Sequence, residues 1–309
     1  MSPNLKGAVC LVTGASRGIG RGIALQLGEA GALVYITGRS QGDLETCGSE
    51  IKARGGEAQT VVMDHGNDAE VEQLFERIQR EQNGKLDVLV NNAYAGVNTI
   101  FTNMGKPFWE TATPEVWDSI NGVGLRGHYI CTVHASRMMV PRKSGLIINV
   151  SSGGGLIYLF NVAYGIGKAG CDRMAADCAH ELRKSNVAMV SLWPGPVKTE
   201  MIQANVLDNP NSPSKSKATF EDGESLEFSG KAVAHLAGDD KIMSKTGRIL
   251  LSADLAREYG FTDEDGLIHG DMKVIKNHLV HAGWSTLASF TPSFLRVPNW
   301  LLYYAGYKF

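Results

Sequence analysis

Over roughly the first 250 residues, short apolar runs alternate with longer stretches of helical periodicity. The runs at 8–13, 33–37, 58–63, 86–90, 146–150, 188–192 and 248–251 are mostly Val, Ile, Leu and Ala. Several are continuous rather than alternating, which predicts parallel strands covered on both faces. Between them, apolar residues spaced three and four apart predict helices over 20–30, 43–54, 68–81, 114–139, 163–184 and 226–236. Strands alternating with helices imply right-handed crossovers and an α/β fold with a doubly wound parallel sheet. A length of 309 residues suggests two domains as a soft prior. No compositional break divides the alternating region, however, and the expectation is one domain over 1–252 with an extension over 253–309.

Two segments depart from the alternation. Residues 200–225 are rich in Pro, Ser, Asn and Lys and predict a mobile excursion from the sheet. The end of the chain, 283–309, carries Trp284, Phe290, Phe294, Trp300, Tyr303, Tyr304, Tyr307 and Phe309, with only Arg296 and Lys308 charged. No uninterrupted apolar run reaches the length of a spanning helix, and the amino terminus lacks the pattern of a secretory leader. A net charge of −2 argues against a nucleic-acid partner. The five cysteines are widely spaced with no CxxC, which fits buried positions in a reducing compartment. His278 and His281 share a helical spacing but have no further ligands nearby, so no metal site is expected. Glycine is in excess, at 36 residues, and its placement directs attention to particular loops.

The first strand runs into Thr13-Gly14-Ala15-Ser16-Arg17-Gly18-Ile19-Gly20 and then an amphipathic helix. Glycines seated there permit a tight turn and close approach of backbone to a pyrophosphate, which the helix amino terminus attracts. After the second strand, where an acidic residue would grip the ribose hydroxyls of NAD, the sequence reads Thr37-Gly38-Arg39. An arginine there, with Arg17 opposite, suits a 2′-phosphate and favours NADP(H). Tyr164 and Lys168 are four residues apart and share one helix face. A cation about 4 Å from a phenol contributes roughly 4 kcal/mol toward the phenolate at an effective dielectric near 20. That brings a tyrosine toward useful acid–base chemistry at neutral pH. Twelve residues upstream, Ser152 ends the fifth strand and is placed to bond a substrate oxygen.

These pieces together resemble the short-chain dehydrogenase/reductase family. The matching elements are Thr13–Gly20, Asp64, Asn91-Asn92-Ala93, Ser152, Tyr164-x-x-x-Lys168 and Pro194-Gly195-x-x-x-Thr199, in family order over roughly residues 5–252. The run from Leu86 to Gly96, with the long tail, looks closest to one particular member of that family. The resemblance implies a Rossmann-like sheet and an NADP(H)-dependent oxidoreductase, a carbonyl reductase or alcohol dehydrogenase. It implies cofactor contacts from Gly14, Ser16, Arg17, Gly18, Ile19, Gly20, Arg39, Asp64, Asn91 and Thr199. It further implies Tyr164 as proton donor, Lys168 as partner of Tyr164 and the nicotinamide ribose, and Ser152 as holder of the carbonyl. Ser151 is the neighbouring alternative, because the Ser152–Tyr164 interval is one residue shorter than a common family spacing.

One departure stands out. Relatives often carry an asparagine where this chain has Gly124, in Val123-Gly124-Leu125-Arg126-Gly127, and many carry glycine where it has Tyr94. Gly122, Gly124 and Gly127 in one helix each cost up to about 1 kcal/mol against alanine and predict a local distortion or close packing. Asn121 is the candidate substitute for the missing amide. The lining implied by the resemblance (Tyr94, Ile157, Tyr158, Leu159, Phe160, Trp193 and Met201) favours a lipophilic carbonyl or alcohol of steroid, retinoid or aromatic ketone type. Residues 200–225 become the lid over that substrate. Three readings of the tail stay open: a docked arm, a segment lying in a membrane interface, or an access flap. Resemblance and tail together favour an endoplasmic reticulum membrane surface, with the cytoplasm as alternative. A homo-oligomer is common in the family. The competing functional class is a catalytically weak NADP-binding scaffold or membrane-associated interaction protein.

Overall fold

The computed structural model describes residues 3–276, 279, 284–292 and 294–306. All seven expected strands form. They are β1 (Val9–Val12), β2 (Leu33–Gly38), β3 (Glu57–Val62), β4 (Val88–Asn91), β5 (Gly145–Val150), β6 (Val187–Trp193) and β7 (Ile249–Leu251). Every pairing is parallel, in the order β3-β2-β1-β4-β5-β6-β7. Along β1, Cys10 and Val12 point to one face and Val9 and Leu11 to the other. Both faces are covered, so both parities must be apolar, and the continuous runs follow from that. One layer holds α1 (Gly18–Glu29), α2 (Gln41–Ala53), α11 (Leu226–Ala237) and α12 (Ser252–Tyr259). The other holds α3 (Asp68–Glu81), α7 (His128–Arg142) and α8 (Val162–Leu182).

The helix expected over 114–139 is broken. α6 (Pro114–Asn121) passes into a π-helical turn at Gly122–Gly127 before α7 begins. The three glycines occupy that wider turn, where their low helix propensity is least costly. Two short helices, α4 (Val97–Asn103) and α5 (Phe108–Thr111), form where no periodicity announced them. The excursion at 200–225 is substantially helical, with α9 (Glu200–Ile202), a π-helical turn at Gln203–Leu207 and α10 (Ser214–Glu221).

The boundary expected at 252 falls inside the packed body. Leu255, Ala256 and Phe261 belong to the same apolar cluster as the sheet. Beyond them the chain is tied back by charge. Asp271 is nearly buried and accepts from Arg257 at 2.8 Å and Arg296 at 2.9 Å, while Asp254 pairs with Lys273 and Arg296. An antiparallel bridge joins Val274 to Arg296. Two further helices, α13 (Ser285–Phe290) and α14 (Asn299–Gly306), follow. Four cysteines are buried and Cys178 is half-buried, all as free thiols. Among the described residues no group of three or more His, Cys, Asp or Glu is placed to hold a metal; His278 and His281 lie outside them.

Candidate active site

Strand order reverses at β1, which has β2 on one side and β4 on the other. The loops leaving the carboxyl ends of β1 and β4 therefore diverge and open a crevice, the usual ligand position of such sheets. Gly14 and Gly18 adopt left-handed backbone, at φ +69° and +58°. A Cβ on Gly14 would lie 2.7 Å from the Ala93 backbone. The glycine loop thus rests directly on the β4 loop. Thr13 Oγ1 accepts from the N–H groups of Asn92 and Ala93 at 2.9 and 3.0 Å, and Asn92 donates back to the carbonyls of Thr13 and Gly14.

Helix α1 starts at Gly18 with no side-chain cap, leaving an amino terminus that attracts anions. An anion already sits there. The Glu200 carboxylate accepts from the Gly18 N–H at 3.0 Å. The loop thus fits a phosphate-bearing cofactor. Thr199 borders it, with its methyl 3.6 Å from where a Cβ on Gly18 would be. Ser16 faces Gly38 at the end of β2, Ile19 packs against the core and Gly20 lies against Asn92. Arg17 and Arg39 are exposed and form no ion pair among the described residues. Asp64 is exposed after β3 and accepts from the Gly66 N–H at 2.8 Å.

Asn91 is placed differently from the expectation. It is wholly buried, and its amide donates to the His128 carbonyl, Thr132 and Asn149. Its side chain braces β4 against α7 and β5 rather than facing the crevice. No polar atom of that side chain is turned toward the crevice. His128 continues the brace, bonding the Ala93 carbonyl at 3.0 Å. Burial and the nearby Lys168 charge push its pKa down to about 3, so it stays neutral.

Tyr164 and Lys168 emerge on one face of α8, as their spacing requires. Asn161 caps that helix by accepting from the Tyr164 N–H at 2.8 Å. Tyr164 and Lys168 are 9% and 8% exposed. The Lys168 ammonium donates to the Val150 carbonyl at 3.0 Å and lies 5.8 Å from the centre of the Tyr164 ring. Phe160 packs edge-on against Tyr164 at 5.0 Å with a left-handed φ of +61°, a strained conformation for a bulky residue. The two candidate serines diverge. Ser151 is buried and donates inward to the Lys168 carbonyl at 3.1 Å. Ser152 is half-buried at the mouth and accepts from the Gly154 N–H at 3.1 Å.

The expected lining divides. Ile157, Tyr158 and Phe160 are exposed around the mouth. Trp193 is instead buried beneath it, its indole N–H held by Asp172 at 3.0 Å. Asp172 also accepts from Ser191 at 2.5 Å, and burial raises its pKa above the usual carboxylate range. Asn121 bonds the Ala163 carbonyl and lies over Gly167, so it touches α8 and not the Lys168 ammonium. Sequence reasoning missed Asp172, although its position one turn beyond Lys168 is a usable signal. Met272 was missed as well; it reaches the Gly153 backbone from the extension.

With this geometry in view, the comparisons with known proteins are direct. The family model described as short chain dehydrogenase matches residues 8–210. The chain belongs to the short-chain dehydrogenase family. Two curated relatives, each called dehydrogenase/reductase SDR family member 1, are similar along almost the entire chain. The human protein is 52% identical, covering 98% of both chains, and the mouse protein is 52% identical, covering 99% of both. This agrees with the member indicated by the Leu86–Gly96 run and the long tail. A solved metagenomic short-chain oxidoreductase in complex with NADP superposes with a TM-score of 0.64 at 29% identity, over 80% of this chain and 96% of that one. As a short-chain dehydrogenase the protein is an oxidoreductase of a family that uses nicotinamide cofactors.

Proposed function

We propose that the protein reduces the carbonyl of a lipophilic substrate with NADP(H), the substrate being of steroid, retinoid or aromatic ketone type. The observation that carries this reading is the Tyr164–Lys168 pair, enclosed beside a glycine loop that already holds a carboxylate. Arg17 just before α1 and Arg39 just after β2, without ion-pair partners among the described residues, support a 2′-phosphate, as does the NADP complex of the structural relative. NADPH supplies the hydride when bound. Gly14, Gly18 and Gly20 admit the pyrophosphate, with Ser16, Ile19 and Thr199 beside it and Asp64 beyond. Ser152 donates to the substrate oxygen, and Tyr164 Oη gives its proton to the developing alkoxide. Lys168 stabilises the phenolate that remains. Apolar Ile157, Tyr158, Leu159 and Phe160 at the mouth favour a lipophilic substrate.

The extension is assigned to a membrane surface. Trp284, Phe290, Phe294, Trp300 and Tyr304 are all strongly exposed in a stretch with few charges. No helix of the described residues is long and apolar enough to cross a membrane; Tyr307 and Phe309 lie outside them. Exposed Trp117, Tyr129 and Ile166 on α6, α7 and α8 support a homo-oligomer through those helices.

The deciding experiment follows NADPH and NADH oxidation across a panel of lipophilic ketones, with Tyr164→Phe alongside. Turnover is expected with NADPH and should fall about a hundredfold or more in the variant. Tight NADPH binding without turnover of any ketone would instead favour the scaffold.

A further inference from the structure

Gly124 and Tyr94 occupy one space. A Cβ built on Gly124 would stand 2.4 Å from Cδ2 and 2.7 Å from Cε2 of the Tyr94 ring, so no side chain fits there while Tyr94 holds its place. At the other end of the ring, a Cβ on Gly96 would lie 2.8 Å from the Tyr94 hydroxyl. The Ile120 backbone crowds the same spot. Tyr94 therefore sits in a slot shaped by two glycines and the π-helical turn. Its hydroxyl is buried without a partner among the described residues, so no hydrogen bond there explains why a tyrosine occupies the position. Burial also pushes that hydroxyl's pKa up, which keeps the residue neutral.

The ring face does have a partner. The Lys168 ammonium lies 5.1 Å from its centre, nearer than to the Tyr164 ring. Tyr94 and Tyr164 meet edge to face at 6.3 Å. Among the described residues a single hydrogen bond, to the Val150 carbonyl, holds that nearly buried ammonium. An aromatic face attracts such a cation most strongly where water is excluded.

We propose that Tyr94 is a positioning residue, whose ring face fixes and favours the charged Lys168 ammonium beside Tyr164 in the space that Gly124 leaves open. The proposal rests on the reductase reading above. Tyr94 acts on the reaction through Lys168 and transfers no proton itself. The other titratable groups around the ammonium are Tyr164, Cys171, His128 and Asp172. The Cys171 thiol donates to the Gly124 carbonyl at 3.3 Å and lies 3.7 Å from His128, so both neutral groups are engaged with each other and the π-turn. Asp172 is bound by Ser191 and Trp193.

The test compares Tyr94→Phe with Tyr94→Leu. Both remove the phenol, but only the first keeps the aromatic face. Tyr94→Phe should retain kcat and its pH profile. Tyr94→Leu should lose about ten- to thirtyfold in kcat, the loss of one desolvated cation–ring contact, with a displaced pH profile. Ultraviolet difference titration of phenolate formation in the cofactor-free proteins, with Tyr164→Phe as blank, should separate the same two variants. The double variant Tyr94→Gly/Gly124→Asn should recover more activity than Gly124→Asn alone, because the new side chain then has room. Tyr94→Leu matching Tyr94→Phe in rate, profile and titration would overturn the proposal. A Tyr164→Phe protein that still turns over would overturn the reaction assignment, and the cofactor-free titration then decides the role of Tyr94 independently.

Discussion

The carboxylate of Glu200, the first residue of α9, accepts a hydrogen bond from the backbone N–H of Gly18, the first residue of α1, at 3.0 Å. A phosphate bound there has to displace it, and the two anions compete for one N–H and one helix dipole. Glu200→Gln should therefore tighten dinucleotide binding several-fold, in line with about 1 kcal/mol of removed competition. Isothermal titration with the oxidised cofactor measures it; an unchanged Kd would show that the carboxylate leaves without cost.

Arg39 stands exposed after β2 with no ion-pair partner among the described residues. If it meets a 2′-phosphate, Arg39→Ala should reduce the kcat/KM ratio of NADPH over NADH by about ten- to a hundredfold, the loss of roughly 1.5–3 kcal/mol for a charged hydrogen bond. Steady-state kinetics with both cofactors would expose a wrong assignment as an unchanged ratio.

Glu224 is wholly buried against α11 and α12, accepting from Ser229 at 2.7 Å and Ser252 at 2.8 Å. Burial raises its pKa from the ordinary 4.5 to about 7. The folded state therefore binds the proton more tightly than the unfolded chain. Stability falls as pH rises from about 4.5 through 7, and the loss is complete above that window. Glu224→Gln should flatten this dependence, leaving the variant less sensitive than wild type across neutral pH. Thermal unfolding of both proteins over the window checks it, and parallel curves would remove Glu224 as the cause.

The exposed aromatics from Trp284 to Tyr304 should make vesicle binding depend on the tail. Removing 283–309, or changing Phe290 and Phe294 together to serine, should shift the protein from the floating to the soluble fraction in liposome flotation. The Asp254, Asp271 and Arg296 clasp is untouched by the double substitution, so that variant separates membrane contact from loss of docking. Undiminished flotation would end the membrane assignment.

Much of the fold was legible in the chain. Most strands were signalled by continuous apolar runs, because a strand covered on both faces must be apolar at both parities, while the edge strand β3 leaves Glu57, Thr60 and Val62 exposed. Helix α3, Asp68–Glu81, matches its expected bounds residue for residue, having a clear apolar stripe and an Asn67 cap. α4 and α5 went unread because seven and four residues are too few to display a period. The 114–139 helix was over-extended, since periodicity does not register the single inserted position of a π-helical turn.

Within the site, the chain by itself determined the Tyr164–Lys168 face, because four residues of α-helix fix that relation locally. It also determined the glycine loop, through the backbone freedom its turn demands. Tertiary structure alone decided between Ser151 and Ser152 as the residue at the mouth, turned the Asn91 amide inward, and set Tyr94 against Gly124. Each of these depends on which atoms from distant elements fill a common volume. Residues thirty positions apart carry no local trace of that, and only close packing of the folded chain resolves it.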